Sequence, residues 1–522
     1  MRSTASPTSP SSARKPRARE PIAMSARERE LKLAAPLGFT LPALTAPGGE
    51  MATGPVETIV LDATYYDTAD LRLARSGASL RHRNDEGWMV KVPNGANDNG
   101  MLDRTEHSFD GASGDPPSEA LELIRALART APIAPVAHLR TTRRSVRLRT
   151  VTGTPIAELT DDDVEVLDGD RLVDRFREIE IELADGAPED RVDEIVGRLR
   201  EAGARAPEPT PKVVRALGPR AQGPPDFEVP SVDDHASVKT VLRAALAAEV
   251  AKLITHDAGV RTGDDPEDIH QARVATRRLR SHLRTFRPVI DEKWARTLRD
   301  ELKWLGGLLG AVRDAEVLKE RLAGKIERLP EVDRPPARRL LRSLTAQRKK
   351  ARDSLLAGMR SDRYPELLDR LVAAAREPAL ETVDGGRDAR EVLLDLVRRP
   401  WRHLADAVDD LPDEPPDADL HAVRIRAKRA RYAIEVVAPV FGKPARLLAK
   451  AITGVQDVLG EHQDAVVAAD WLRGRVTGGG EKAVGFVAGQ LVALEREDAE
   501  RARAAWPAAW RTASRKRLRS WM

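Results

Sequence analysis

The chain has 522 residues, 41% of them apolar and 32% charged, with 86 Lys and Arg against 82 Asp and Glu. That length suits two or three domains with real cores, and a net charge of only +4 makes any strongly basic surface local, balanced by acidic residues elsewhere. Cysteine is absent, which excludes disulfides, thiolate zinc sites and cysteine nucleophiles and makes a reducing cytosol the simplest home; no run approaches the ~18 apolar residues of a membrane span.

Residues 1–24, rich in Ser, Pro, Arg and Ala, read as a disordered basic arm, with no apolar stretch of the kind a secretory signal needs. Residues 25–217 read as mostly strands. Short runs at Ile59–Leu61, Ala78–Arg83, Trp88–Val92, Thr142–Leu148, Pro155–Leu159, Val164–Leu167 and Phe176–Leu183 are separated by Gly, Asn and Asp turns. Helical stretches interrupt near 117–130 and 189–203. The Pro-rich segment 218–234 is a linker candidate. From 235 to 515 the spacing is helical, with Pro- and Asp-rich breaks near 329–336 and 410–418. A basic tail, 516–522, ends the chain.

Several strand candidates carry charge on one alternation phase, since alternate residues of a strand share a face. Glu28, Glu30 and Lys32 make one row; Arg81 and Arg83 a second; Glu178, Glu180 and Glu182 a third, with Ile179, Ile181 and Leu183 opposite. For any single row the plain reading is the solvated face of an antiparallel sheet. Together, acidic and basic rows suit a metal-bound polyanion, because carboxylates take Mg²⁺ or Mn²⁺ and Arg and Lys clamp phosphate. A closed sheet would turn the rows inward.

The Glu28-x-Glu30-x-Lys32 opening resembles the signature of the CYTH, or triphosphate tunnel metalloenzyme, superfamily. Matching stretches follow in order: Ser79–Arg83, Lys91, Arg104-Thr105-Glu106, Arg143-Arg144, Asp161-Asp162, Glu178–Leu183 and Pro211–Leu217. The resemblance implies an eight-stranded antiparallel tunnel that binds triphosphate with Mg²⁺ or Mn²⁺ and hydrolyses inorganic triphosphate, thiamine triphosphate or RNA 5′ ends, or cyclises ATP. Carried over, Glu28, Glu30, Glu180 and Glu182 hold metal and position or activate water, with help from Glu106 and Asp161. Lys32 joins this catalytic set and also grips phosphate, as do Arg81, Arg83, Lys91, Arg143 and Lys212. Ser108 stands where the family often has a further acid. Within Arg143/Arg144 and Asp161/Asp162 the two residues have opposite phases, and the first of each pair is the choice made here. Trp88 is the one aromatic candidate for the rings of thiamine triphosphate.

The helical half contains a repeat. His270-x-x-Arg273-x-x-x-Arg277-Arg278-x-Arg280 returns as His421-x-x-Arg424-x-x-x-Lys428-Arg429-x-Arg431, and Leu309-Gly310 to Asp314-Ala315 returns as Leu459-Gly460 to Asp464-Ala465. On a helix turning 100° per residue, Arg273, Arg277, Arg280 and Arg284 fall between roughly 280° and 340° from His270. Ala272, Ala275, Leu279, Leu283 and Phe286 lie on the other side. The second copy sets His421, Arg424, Lys428 and Arg431 against Val423, Ala430, Ile434 and Val437, with Glu435 replacing the last arginine. A solvated amphipathic helix is the plain alternative, but such faces usually mix signs. No carboxylate or histidine completes a metal set around the histidines. With only 4% aromatic residues in the chain and none interleaved here, base stacking is poorly supported. A phosphate polymer without bases fits better than nucleic acid.

These motifs resemble the CHAD domain, which implies two related helical bundles facing each other across a basic channel for inorganic polyphosphate. The whole chain is then expected to be an α+β, multidomain protein, a β tunnel followed by a duplicated all-α domain, in the cytoplasm and associated with polyphosphate granules. A non-catalytic polyphosphate binder with a degenerate tunnel and a nucleic-acid-binding protein are the two alternatives.

Overall fold

The computed structural model describes residues 25–44, 51–93, 102–184, 189–205, 210–381, 388–476 and 482–522; the basic arm expected over 1–24 lies outside them. The first half of the described chain forms nine strands: β1 Ser25–Ala35, β2 Met51–Thr53, β3 Glu57–Asp67, β4 Ser79–Arg83, β5 Gly87–Pro93, β6 Leu102–Phe109, β7 Ala134–Thr150, β8 Pro155–Asp168 and β9 Arg171–Leu183. Eight run antiparallel in the order β7-β3-β4-β5-β6-β1-β9-β8, and β8 pairs back onto β7, so the sheet closes into a barrel. The short β2 is an edge on β7.

The two runs expected at Pro155–Leu159 and Val164–Leu167 are one strand, β8. The acids between them do not break it, because each finds an arginine on a flanking strand, Asp161 with Arg177 and Asp162 with Arg143. Strand β6 has no apolar alternation to announce it; its pairing with β1 and β5 makes it a strand.

The barrel is apolar on its outer surface. Leu148, Leu159, Ile179 and Ile181 face out and are covered by Ile195 and Leu199 of the Glu189–Glu201 helix. Val164 and Phe176 pack under Val213 and Val214 of the Lys212–Leu217 helix. Trp88 and Val90 pack against Leu123 and Ile124. Burying apolar surface outside the ring leaves the opposite phase of each strand, with its charges, for the interior.

The second half is helical from Val238 onward. In the first copy the Pro266–Thr285 helix, capped by the Asp265 carboxylate on the Glu267 amide at 2.8 Å, packs on the Glu292–Ile326 helix. In the second copy the Asp417–Phe441 helix packs on Lys443–Val476, and the leading helices of the two copies touch each other. The apolar faces expected for both repeats lie in one core, from Ala272, Leu279 and Phe286 to Val423, Ile434 and Val437. The two halves are tied at Asp226, between them in sequence. Its buried carboxylate lies against Arg72, Arg75 and Arg129 of the barrel half and against Arg376 of the helical half, the Arg75 and Arg376 contacts at 3.3 and 3.4 Å.

Candidate functional site

The barrel encloses a cavity of about 210 Å³. Register sets its walls. Lys32 pairs across from Glu180 and Glu30 from Glu182 on β9, Glu28 from Arg104 on β6, and Lys91 from Glu106. Glu28 and Glu30 therefore share the strand phase of Lys32, which lines the cavity together with Arg81, Arg83, Lys91, Arg143, Glu106, Glu180 and Glu182. Lys212 enters from the N-terminus of its short helix, next to Pro211.

The cavity has an acidic side and a basic side. On the acidic side the Lys212 ammonium lies 2.9 Å from Asp162, 2.8 Å from Glu178 and 2.7 Å from Glu180. Arg143 grips Asp162 with two N–H groups, at 2.8 and 2.6 Å, and reaches Glu180 at 3.1 Å. Lys32 pairs with Glu180 and, at 3.6 Å, Glu178. Burial opposes the Glu180 charge, but Lys212, Lys32 and Arg143 outweigh it and hold its carboxyl well below the usual range. The Lys212 ammonium is likewise held well above its usual range: burial works against it, and Asp162, Glu178 and Glu180 overcome it. On the basic side the β4–β5 turn folds back so that Glu86 accepts from Arg81 at 2.7 Å and from Arg83 at 2.6 Å. Arg81 also donates to the Tyr65 hydroxyl at 3.4 Å.

One expected residue is elsewhere. Asp161 lies on the outer face of β8, in a two-point pair with Arg177 at 2.7 and 2.6 Å and beside Arg144 at 3.4 Å. Its neighbour Asp162 has the inward phase because it stands across from Arg143 and Glu178. Trp88 is also outside, fully buried, with its indole N–H donating to the Ala112 carbonyl at 3.0 Å. Sequence reasoning missed Tyr65, Arg104, Glu158 and Thr160 as lining residues; the strand pairing of Arg104 with Glu28 and of Glu158 with Glu182 is the signal that finds two of them. Ser108 has its hydroxyl against the Met89 sulfur at 3.8 Å.

The donor chemistry fits a hard divalent cation. Glu106, Glu180, Glu182 and Asp162 are all carboxylates, the ligand type Mg²⁺ and Mn²⁺ take. Among the described residues no group of three acids or histidines is arranged to hold a metal ion as it stands, and three acids of the acidic side, Asp162, Glu178 and Glu180, are gathered around the Lys212 ammonium. Ammonium and guanidinium groups neutralise the acidic wall instead.

In the helical half the two basic faces meet. Arg273 donates to Asp314 at 2.8 Å, and its repeat counterpart Arg424 lies 3.9 Å from Asp464. Gly310 and Gly460 leave room for these guanidiniums: a Cβ at Gly460 would stand 3.4 Å from the Arg424 Nη2. The second half of the repeated motif therefore seats the arginine of the first. Lys428 lies among Arg424, Arg277 and Arg273; burial first and those three cations next push its ammonium down to about 7, against the pull of Asp464. Among the described residues no carboxylate pairs with Arg277, Arg280, Arg284 or Lys428. Arg277, Arg278 and Arg431 gather around the Tyr432 ring, the nearest at 4.9 Å, so one aromatic side chain does stand among these cations, where the sequence pattern predicted none. Burial drives the His270 imidazole toward its neutral form, opposed by Glu267 and assisted by Arg313, Arg277 and Arg273. His421 is half-buried on the matching face of its own helix. Glu435 joins the copies, accepting from Arg278 at 3.1 Å and pairing with Arg431 at 3.4 Å.

Comparison with known proteins separates the same halves. A CYTH domain model matches residues 26–206 and a CHAD domain model residues 244–473. Two uncharacterized proteins of Mycobacterium tuberculosis, MT2285 and Rv2226, are 34% identical over 439 residues, covering 79% of this chain and 81% of each relative. Among solved structures, PptA from Streptomyces chartreusis is similar at 26% identity and a TM-score of 0.45, covering 53% of this chain and all of that one. The CHAD domain of the plant Ricinus communis is similar at 29% identity and a TM-score of 0.43, over 54% of this chain and 96% of that one.

Proposed function

Because the chain belongs to the family of proteins that join a CYTH domain to a CHAD domain, we propose that it hydrolyses inorganic triphosphate, or a closely related triphosphate, in its barrel and binds inorganic polyphosphate on its helical faces. The observation that carries the first part is the cavity itself: seven cationic side chains and five carboxylates line about 210 Å³ inside a closed barrel. Phosphoryl transfer asks a protein mainly to position groups and neutralise charge, and this lining has the chemistry for both.

Arg81, Arg83, Lys91, Arg143, Lys32 and Lys212 grip the phosphate oxygens in this reading. Glu28, Glu30, Glu180 and Glu182, with Glu106, hold the cation and orient water; Asp162 takes the place expected of Asp161. A bound Mg²⁺ or Mn²⁺ supplies Lewis-acid neutralisation of the triphosphate charge. Lys212 sits where it can exchange its three carboxylate partners for phosphate oxygens as substrate enters. In the helical half, His270, Arg273, Arg277, Arg280 and Arg284 face His421, Arg424, Lys428 and Arg431 as the polyphosphate surface, and the cations without acid partners support that role. The reading places the protein in the cytoplasm, at polyphosphate granules. Among the described residues no helix is long and apolar enough to cross a membrane.

Phosphate release from inorganic triphosphate, thiamine triphosphate, ATP and long polyphosphate, with Mg²⁺ or Mn²⁺ and with chelator, tests the first part. Inorganic triphosphate should be cleaved fastest, and chelator or Glu28→Ala/Glu30→Ala should abolish turnover; full turnover in that variant would sink the assignment. Competition between polyphosphate and DNA or RNA at equal phosphate concentration and ionic strength tests the second. Displacement by nucleic acid would reverse the preference.

A further inference from the structure

The chain between the two halves, read from its prolines as a linker, is pinned along its length. It leaves the cavity at Lys212, whose ammonium sits among Asp162, Glu178 and Glu180. The short helix that starts there packs Val213 and Val214 on Tyr65, Val164 and Phe176, and Ala221 is buried in the same cluster. The helix ends at Gly218, whose φ of 67° favours glycine. Arg220 then donates to the Ala69 carbonyl at 3.1 Å, and Arg75 donates from Nε to the Pro224 carbonyl at 2.8 Å. Fourteen residues after Lys212 the run reaches Asp226.

Asp226 is the far anchor. Its carboxylate, 7% exposed, is shared by Arg72, Arg75 and Arg129 of the barrel half and Arg376 of the helical half, and Arg376 also donates to the Asp226 carbonyl. Asp369 of the helical half accepts from Arg129 at 2.8 Å, and the half-exposed Asp70 pairs with Arg72 at 2.9 Å. Without Asp226 the four guanidiniums would face one another with too few acids between them. Arg129 itself adopts a φ of 56°, a region that a side chain enters at a cost and only where its surroundings fix it. Its two carboxylate partners supply that fixing, one from the linker and one from the helical half. Apolar contacts join the halves as well: Ala126 of the barrel half lies in the helical core, and Ala258 of the helical half packs against the barrel cluster around Trp88. The helical half is therefore a platform, and residues 212–226 are a strut between it and the cavity. We propose that Asp226 is a positioning residue for the triphosphate reaction: it anchors the strut to the helical half, keeps the Lys212–Leu217 helix seated on the barrel, and so holds Lys212 in the phosphate site. The barrel's phosphate grip is then complete only with the helical half docked. This rests on the triphosphatase reading above and adds to it a residue outside the cavity.

Two measurements on the full chain test this. The first is a double-mutant cycle. Asp226→Asn should raise KM for inorganic triphosphate by about tenfold, the scale of one hydrogen bond to a charged group, and leave kcat nearly unchanged. In a Lys212→Ala background the same substitution should add less than about twofold, whereas distant sites that act independently would add in full. Asp226→Glu, which keeps the charge, should restore most of the lost KM. The second needs no turnover. Amide hydrogen exchange across Lys212–Leu217 should quicken in Asp226→Asn, while the Glu189–Glu201 helix on another face of the barrel exchanges as in the parent. Arg376→Ala loosens the strut without uncovering the barrel arginines; it stands in if Asp226→Asn fails to fold and should give both results more weakly. Full additivity with Lys212→Ala overturns the positioning role, and so does unchanged exchange across Lys212–Leu217. Faster exchange throughout the chain makes Asp226 a general stabiliser and overturns it too. If the parent cleaves no triphosphate, the triphosphatase reading falls, and exchange alone decides whether Asp226 seats the helix.

Discussion

The barrel interior and the crossing of the duplicated helices both gather cations, yet they neutralise them differently. Inside the barrel nearly every charge has a fixed opposite: Lys212 with Asp162, Glu178 and Glu180, Arg143 with Asp162, Lys91 with Glu106, Arg81 and Arg83 with Glu86. At the helix crossing Arg277, Arg280 and Lys428 have no such partners among the described residues. An enclosed site must balance its charge, because an uncompensated buried ion costs several kcal/mol. An open face can leave cations to water and counterions, to be released when a polymer binds. On the proposed reading the barrel exchanges partners, and the helical face accepts a ligand onto arginine charge already in place.

The widest separation between the two regions should come from Glu180. Glu180→Gln should lower triphosphate turnover by about 10²–10³-fold, the size of losing one well-placed electrostatic group in an active site, while long-polyphosphate affinity stays within about twofold of wild type. An equal loss of binding would mean that the two regions act as one site. Thermal denaturation of the same variant checks that the loss is not unfolding.

The next effect tests the open face. Lys428, pushed to about 7 by burial and by Arg424, Arg277 and Arg273, is largely neutral above that pH in the free protein. A bound polyanion favours its charged form, so binding takes up a proton. Affinity for polyphosphate should be flat below about pH 7 and fall above it, by up to tenfold per pH unit at ~1.36 kcal/mol per pKa unit, until the pKa of the complex is passed. Titration calorimetry in buffers of different ionisation enthalpy reads the proton uptake directly. Lys428→Arg should flatten the profile, and a profile that stays steep in that variant would assign the proton elsewhere.

Smaller effects probe the barrel's self-neutralisation. Glu86 occupies Arg81 and Arg83, the two arginines that a triphosphate would engage. Glu86→Ala should lower KM for triphosphate by about tenfold, near the ~1.5 kcal/mol lower end for a hydrogen bond to a charged group, with kcat little changed; a higher KM would make Glu86 a positioning residue instead. Ser108→Ala should matter least. Its hydroxyl faces the Met89 sulfur, and a turnover change below about twofold is expected, the ~0.5 kcal/mol scale of a substitution that breaks no identified interaction. A large loss would place Ser108 in the machinery.

Much of the site was readable as rows of like phase. Alternation of Glu178, Glu180 and Glu182 against Ile179 and Ile181 showed two unlike faces, and the duplicated His-Arg-Arg pattern showed that one helix face is basic twice. The choice within adjacent pairs was not readable. Asp161 and Asp162 are both acids, Arg143 and Arg144 both arginines, and only the registers of β7, β8 and β9 turn Arg143 and Asp162 inward and give Asp161 to Arg177.

By itself, the sequence determined the two kinds of architecture, the duplication, and most of the charged rows, because period 2 and period 3.6 are local properties of the backbone. The tertiary structure decided which phase is the inside. Closure of β7 onto β8 encloses the charged face and leaves the apolar face for the covering helices, and the crossing of two helices 150 residues apart brings Lys428 among the arginines of the other copy. Those placements depend on partners distant in the chain, and no local pattern records which partner will be found.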